Sequence, residues 1–166
     1  LSLHDALPIL SISSCSETVI SGNRIYSRGW SSNNAIAISG NANLTIERNL
    51  LSSITTDGRG DIIIRNNTFV PWGHTDYALH HDSDAVLDFY NNIIYGDGDC
   101  AIVKSRRERE ASIHHNLYWD ISEPFINVEP GESNIDRKPE FIGGRDYDYN
   151  LQVISPAIDA GDPDSP

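Results

Sequence analysis

The sequence predicts an all-β fold, a parallel β-helix in which three strands form each turn of a solenoid, and three observations support this. Asn, Ser, Ile, Asp and Gly are abundant in the 166-residue chain, which favours strands closed by polar turns over helices. One short apolar pattern recurs five times around an asparagine. A further apolar position lies thirteen residues before that asparagine in four repeats, although the repeats differ in length.

The repeated pattern alternates apolar and polar residues on both sides of one asparagine. The shared residues are Asn23, Asn49, Asn67, Asn92 and Asn116, at spacings of 26, 18, 25 and 24 residues. Such alternation describes two short strands that meet at a tight bend, and asparagine tolerates the left-handed conformation that such a bend requires. Stacked bends of this kind predict an internal asparagine ladder joined through side-chain amides.

The third strand of each turn contains the apolar position that precedes the asparagine by thirteen residues. Ile36, Ile54, Leu79 and Val103 occupy this position. The variable length is therefore confined to one corner, directly before Ala35, Ala78 and Ala101. Turns of 18 to 26 residues with insertions at a single corner imply that each strand pairs in parallel with its copy one turn later.

Composition and charge exclude several classes of protein. With 39% apolar residues, 22% charged residues and a net charge of -12, the chain can bury the core of one soluble domain. No apolar run approaches the roughly 18 residues of a membrane-spanning helix, so we expect no transmembrane segment. The largest basic cluster covers six positions, and we expect no nucleic-acid partner.

The two ends of the chain are interpreted separately from the repeats. Residues 1–9 look like the translation of a sequencing adapter, and we treat them as a non-native scar on a truncated N-terminus. Residues 10–119 are assigned to the β-helix turns. Residues 120–166 are assigned to the last turn and a closing segment.

The repeats resemble the right-handed parallel β-helix proteins of the pectin-lyase-like superfamily, over Glu17 to about Trp119. The stretch from Lys138 to Pro163 is similar to the closing segment of many bacterial β-helix proteins. The resemblance implies a right-handed coil with a C-terminal capping segment. It also implies a secreted or cell-surface protein, monomeric at full length, whose partner is a polysaccharide and specifically one that contains uronates.

Strand alternation identifies a candidate site on the outer face. Next to the four inward apolar residues stand Ala37, Thr55, His80 and Lys104, and two positions further along stand Ser39, Asp57, Asp82 and Arg106. Turns stack about 4.8 Å apart, and neighbours on the same face of a strand lie about 6.6 Å apart. His80, Lys104, Asp82 and Arg106 are therefore predicted to form one compact outward square.

These residue types suit β-elimination on a uronate, which needs a base for the C5 proton and a cation beside the carboxylate. We assign Lys104 and His80 as the catalytic residues, either of which can be the base. Arg106 and Asp82 are assigned to substrate binding, because an arginine fork matches the two oxygens of a carboxylate. His74 and Tyr77, from the loop before the strand, are assigned as walls of the cleft.

The segment around Lys104, from Ala101 to Ser105, resembles the lysine-bearing strand of the alginate and chondroitin lyases in this superfamily. The arginine that the resemblance places one turn later is missing between Phe125 and Glu129. Two alternatives therefore stay open. One is a non-catalytic cell-surface or glycan-binding scaffold, in which the charges form ordinary surface pairs. The other is a glycoside hydrolase that uses Asp57 and Asp82 as its acid and base.

No metal site and no cofactor are predicted, although calcium is considered. The loops Gly96 to Asp99 and Asp57 to Asp61 offer clustered carboxylates, yet glycine and aspartate are also ordinary turn residues. Among the histidines, His81 is expected to be a hydrogen-bonded interior residue. One of His114 and His115 is expected to face the core against a carbonyl oxygen.

Overall fold

The computed structural model describes residues 9–25, 35–70, 77–98, 101–109, 111–143 and 148–165, with the backbone alone described at 97–98 and 106–109. This part of the chain contains fifteen strands and no helix. The strands are β1 (Leu10–Ser21), β2 (Arg24–Ile25), β3 (Ile36–Glu47), β4 (Leu50–Leu51), β5 (Ile54–Arg59), β6 (Asp61–Arg65), β7 (Thr68–Phe69), β8 (Tyr77–His81), β9 (Val86–Tyr90), β10 (Ile93–Gly98), β11 (Ala101–Arg109), β12 (Ala111–His114), β13 (Leu117–Ile121), β14 (Phe125–Val128) and β15 (Ile135–Asp136). In the described residues, no helix has the length and apolar character needed to cross a membrane.

The strands form two parallel sheets. The nine-stranded sheet has the order β12-β9-β6-β3-β5-β8-β11-β14, with β1 also paired to β3, and the six-stranded sheet has the order β15-β13-β10-β7-β4-β2. Three successive strands make one coil: β5, β6 and β7 pair with β8, β9 and β10 of the next coil. The predicted all-β parallel solenoid is therefore confirmed, and its strands stack on copies of themselves.

The register between coils follows the thirteen-residue offset. Ile36 pairs with Ile54, Ile54 with Leu79 and Leu79 with Val103, and all four side chains are fully buried. Leu44–Glu47 pairs with Ile62–Arg65 in parallel, which excludes the antiparallel alternative for these two strands. Successive coils of 18, 25 and 24 residues therefore keep the same register at this position.

In the coil that contains β3, two of the predicted strands merge into this single strand of twelve residues. Its first half pairs with β5 and its second half with β6. Gly40, with a φ of 71°, marks the change of direction between the halves. The next coil makes the same change at Gly60, which separates β5 from β6.

The repeated asparagines line up inside the solenoid. Asn49, Asn67, Asn92 and Asn116 are buried, and the Nδ2 of each donates to the Oδ1 of the asparagine one coil later at 3.0–3.1 Å. Asn116 donates to Asn134, which stands 18 residues further along. Asn134 could not be predicted from the repeats, because the residues before it, Gly131 to Ser133, lack the apolar alternation of the other repeats.

The left-handed bend residues are not the asparagines themselves, and that detail of the sequence analysis was wrong. The positive φ angles belong to the preceding residues, at 55° for Arg48, Asn66 and Asn91 and 53° for His115. One left-handed residue turns the chain, and the next asparagine then points inward, where its amide donates to backbone carbonyls. Asn67 Nδ2, for example, donates to Ile46 O and Arg65 O at 2.9 Å each.

Beyond β15 the described chain packs against the side of the solenoid. The ring centroids of Phe141 and Tyr95 lie 5.8 Å apart, and Phe141 forms an isolated antiparallel bridge with Leu151. The backbone N–H of Asp162 donates to Asn91 Oδ1 at 2.7 Å. These contacts lie beside the six-stranded sheet and its bends. The capping role of this segment and the right-handed sense of the coil stay predictions.

Candidate functional site

The predicted outward row exists as a line of paired residues across five strands. Ala37 pairs with Thr55, Thr55 with His80, His80 with Lys104 and Lys104 with Ile126. Each of these side chains is half-buried, whereas its inward neighbour is fully buried in the first four strands. The structure thus confirms the predicted register of His80 and Lys104, which occupy equivalent positions on adjacent coils.

Tyr77, the first residue of β8, lies beside this row. Ala78 and Leu79 are both buried, so the strict alternation of the strand is interrupted and Tyr77 lies on the same side as His80. Their rings are 5.0 Å apart. The start of β11 buries three successive residues, Ala101, Ile102 and Val103, and the N–H groups of the last two donate to Pro124 O. Tyr77 therefore flanks the row, and its role as a wall of the cleft stays a prediction.

The second line of the predicted square is described only in part. Ser39 pairs with Asp57, and the backbone N–H of Asp82 donates to Thr56 O at 3.1 Å, which places Asp82 one coil after Asp57. Asp82 lies just beyond the end of β8. The Arg106 side chain and the whole of His74 lie outside the described residues. The structure thus brings together Tyr77, His80 and Lys104, and Asp82 follows directly after the end of β8.

One position further along these strands, the inward-facing side chains are polar. His81 is fully buried, and its Nδ1 lies 2.9 Å from Thr56 Oγ1 and 3.3 Å from Ser83 Oγ. Ser105, on the next coil, is buried as well. The interior role predicted for His81 is confirmed, because the ring is fully buried and its Nδ1 lies within hydrogen-bond distance of two core hydroxyl groups.

A second outward line of residues carries most of the described ion pairing. Glu47, Arg65, Tyr90 and His114 are paired in register on successive coils. Arg65 contacts Glu47 at 2.9 Å and donates to Tyr90 Oη at 3.2 Å. The hydrogen bond to Tyr90, followed by the pairing with Glu47, raises the pKa of the Arg65 guanidinium. This line ends at His114, whose ring stacks on that of Tyr90 with the centroids 5.0 Å apart and an angle of 4° between the ring planes.

Neither His114 nor His115 faces the core, so that prediction was wrong. Both are half-buried on the outer side, since Ile113 and Asn116 take the inward positions on either side of them. The left-handed φ of His115 turns its side chain away from the core. The Nδ1 atoms of the two rings are 2.9 Å apart, and His114 Nε2 lies 3.2 Å from Asp88 Oδ1.

Asp162, from the C-terminal segment, completes this group. Its Oδ2 lies 3.9 Å from His114 Nδ1. One donor atom each from His114, His115 and Asp162 falls within 4.8 Å of the others, the only such group of three in the part of the chain that the structure describes. Adjacent histidines at a bend are a signal that the sequence offers. The sequence offers no signal for the approach of Asp162, because that approach depends on how the C-terminal segment packs.

The calcium expectation stays a prediction. Asp57 and Asp61 are both exposed. In the other loop, from Gly96 to Asp99, residue Asp99 and the side chain of Asp97 fall outside the described residues.

No protein-family model, no curated protein and no solved structure matches the chain. The fold therefore rests on the strand pairing alone. The likeness to the pectin-lyase-like superfamily contributes only to the functional proposal that follows.

Proposed function

We propose that this protein binds an acidic polysaccharide across the outward row of β5, β8 and β11 and cleaves it by β-elimination. The observation that carries the proposal is the pairing of Lys104 with His80 on adjacent coils. Side chains paired in this way stand about 4.8 Å apart on one face of a sheet. A cation and an imidazole at that spacing can contact the carboxylate and the C5 hydrogen of one uronate.

His80 and Lys104 divide the two chemical tasks of the elimination between them. His80 takes the C5 proton, because a neutral imidazole is a base near neutral pH. The electron pair of the C5–H bond forms the C4–C5 double bond and the C4–O bond breaks. The leaving oxygen takes up a proton from water, and His80 then releases the C5 proton to solvent. The Lys104 ammonium stabilises the charge that develops on the carboxylate. Tyr77 lies against His80 and bounds the sugar-binding face.

A second candidate function is glycan binding without cleavage. It is favoured by Ile126, which pairs with Lys104 and occupies the next position of the row. A uronate bound at Lys104 would therefore contact apolar Ile126 on the next coil. A cation at that position would assist elimination, and Ile126 does not supply one. In both versions the protein acts outside the cell or at its surface, where such polysaccharides occur.

The proposal is tested by incubating the chain with polygalacturonate, alginate and chondroitin and following the ultraviolet absorbance of the unsaturated product. Turnover should occur on at least one substrate, and Lys104→Ala and His80→Ala should each abolish it. Lys138→Ala, which removes an exposed lysine from the C-terminal segment, is the control and should keep full activity. Absence of product on all three uronates would exclude elimination on these substrates.

A thermal melt of Lys104→Ala separates a catalytic role from a structural one. The melting temperature should change little, because ion pairs of partly exposed lysines contribute under about 1 kcal/mol. A large loss of stability with turnover intact would mean that the row is structural.

A further inference from the structure

We propose that His114, His115 and Asp162 form a site for a transition-metal ion, with Zn²⁺ as the preferred occupant. The three donor atoms lie within 4.8 Å of one another. His114 Nδ1 is 2.9 Å from His115 Nδ1 and 3.9 Å from Asp162 Oδ2. Two ligands of a tetrahedral zinc, each bound at about 2.0–2.1 Å, are about 3.4 Å apart, and the two observed distances bracket this value.

The environment of His114 presents Nδ1 as the ligand atom. Its other nitrogen, Nε2, lies 3.2 Å from Asp88 Oδ1. Histidines that bind metals usually donate this second N–H to a carboxylate, which sets the tautomer and orients the ring. With the proton on Nε2, the Nδ1 lone pair points towards His115 and Asp162. The stacked ring of Tyr90 holds the plane of His114 in place.

The other two ligands are held through their backbones. His115 occupies a left-handed bend, and its N–H donates to Glu132 O at 3.2 Å. Asp162 donates its N–H to Asn91 Oδ1, a residue 71 positions earlier that occupies the same bend one coil before His115. The ligands thus come from two distant parts of the chain, and a bound ion would fasten the C-terminal segment to the solenoid.

The donor set selects the class of metal. Two imidazole nitrogens and one carboxylate suit Zn²⁺ and its neighbours Co²⁺, Ni²⁺ and Cu²⁺. Calcium and magnesium prefer sites made of oxygen ligands alone. Three protein ligands leave a fourth tetrahedral position for water, which makes zinc the natural occupant of this geometry.

The test uses the full 166-residue chain, free of any histidine tag and stripped of metal with a chelator. Calorimetric titration with Zn²⁺ should show one ion bound per chain, and Co²⁺ should produce the visible absorption bands of a tetrahedral site. Failure to bind Zn²⁺ at concentrations up to about 1 mM would overturn the proposal and leave an ordinary hydrogen bond between the two imidazoles.

Variants assign the ion to these ligands. His115→Asn removes an imidazole but suits the bend, because Asn66 and Asn91 occupy the equivalent position with φ angles of 55°. His115→Asn and Asp162→Asn should each weaken Zn²⁺ binding by about 100-fold or more, and Asp88→Asn by about 10-fold to 100-fold. Asp159→Asn, an exposed position with a φ of 58° on the same tail, is the matched control and should bind like the parent chain.

A proteolysis experiment measures the proposed effect on the tail. Zn²⁺ should slow cleavage of the C-terminal segment in the parent chain and have no effect in Asp162→Asn. This variant keeps the test decisive if circular dichroism shows that His115→Asn does not fold. Equal Zn²⁺ affinity in the parent chain and in folded His115→Asn and Asp162→Asn would overturn the proposal.

Discussion

The bend asparagines show how one side chain satisfies several backbone groups at once. Asn67 Nδ2 donates to Ile46 O, Arg65 O and Asn92 Oδ1, while Asn67 Oδ1 accepts the N–H and the side-chain amide of Asn49. All these contacts lie in or beside the core. Unsatisfied buried polar groups cost about 1–3 kcal/mol each, so the residue identity at this position is strongly constrained.

Asn67→Ala tests how much the asparagine column contributes to stability. The substitution should lower the free energy of unfolding by at least about 2 kcal/mol, because it leaves buried donors and acceptors without partners on two neighbouring coils. Asn41→Ala removes an exposed asparagine of β3 and should change stability by less than about 0.5 kcal/mol. Urea denaturation of the three proteins measures both values. Similar stabilities for the two variants would show that the asparagine column contributes little.

The second prediction concerns the glycine that stacks on Gly40. A Cβ added at Gly58 would collide with the carbonyl oxygen of Gly40, which belongs to the paired strand one coil earlier. Gly22 also lies at a bend, with a φ of 73°, but a Cβ there would meet nothing within 4 Å. Gly58→Ala should therefore destabilise the fold more than Gly22→Ala, whose backbone strain costs about 1–2 kcal/mol. The reverse order of melting temperatures would contradict the tight stacking of these coils.

The sequence predicted the pairing of the strands because the determinants of register are local. The apolar residue at each thirteen-residue offset and the asparagine that follows it define where each coil begins and bends, as Leu79 and Asn92 do. The merged strand β3 could not be foreseen, since alternation does not reveal whether a bend interrupts hydrogen bonding. The contact of Asp162 with His114 was equally hidden, because the tail lacks a repeat that would fix its position.

The same limit applies to the candidate site. The positions of His80 and Lys104 followed from alternation, and the structure confirms their register. The outward placement of both His114 and His115 did not follow, because it depends on which residue of the bend is left-handed. A pattern of apolar residues fixes which side of a strand faces the core, but it does not fix the conformation of the turn.

The third prediction concerns the pair formed by β13 and β15, in which Tyr118 faces Asp136. Burial, followed by the charge of Asp136, raises the pKa of Tyr118 above its ordinary value of 10.0. Above about pH 10 the unfolded chain releases this proton while the folded chain retains it, so stability falls as pH rises. Tyr118→Phe should therefore lose less stability than the parent chain over this range. Parallel declines of melting temperature with pH would contradict the assignment.

The solenoid as a whole presents a repeated surface on an acidic protein. The net charge is -12, yet the row proposed to bind the polysaccharide carries Lys104 and His80. Long-range repulsion between exposed charges is screened beyond about 8 Å at physiological ionic strength, whereas contact between an ammonium and a carboxylate is not. Binding should therefore depend on the local row and not on the overall charge.

Recognition of uronates by this row is tested by a calorimetric comparison of oligogalacturonate with a carboxyl-reduced oligosaccharide of equal length, at physiological ionic strength. The acidic ligand should bind the parent chain, and Lys104→Gln should weaken its binding by about 10-fold or more, the effect of losing one charge-assisted contact. Lys138→Gln should bind like the parent chain, and the reduced ligand should bind weakly to all three proteins. Equal binding of the two ligands, or an unchanged affinity in Lys104→Gln, would contradict the proposal that this row recognises uronates.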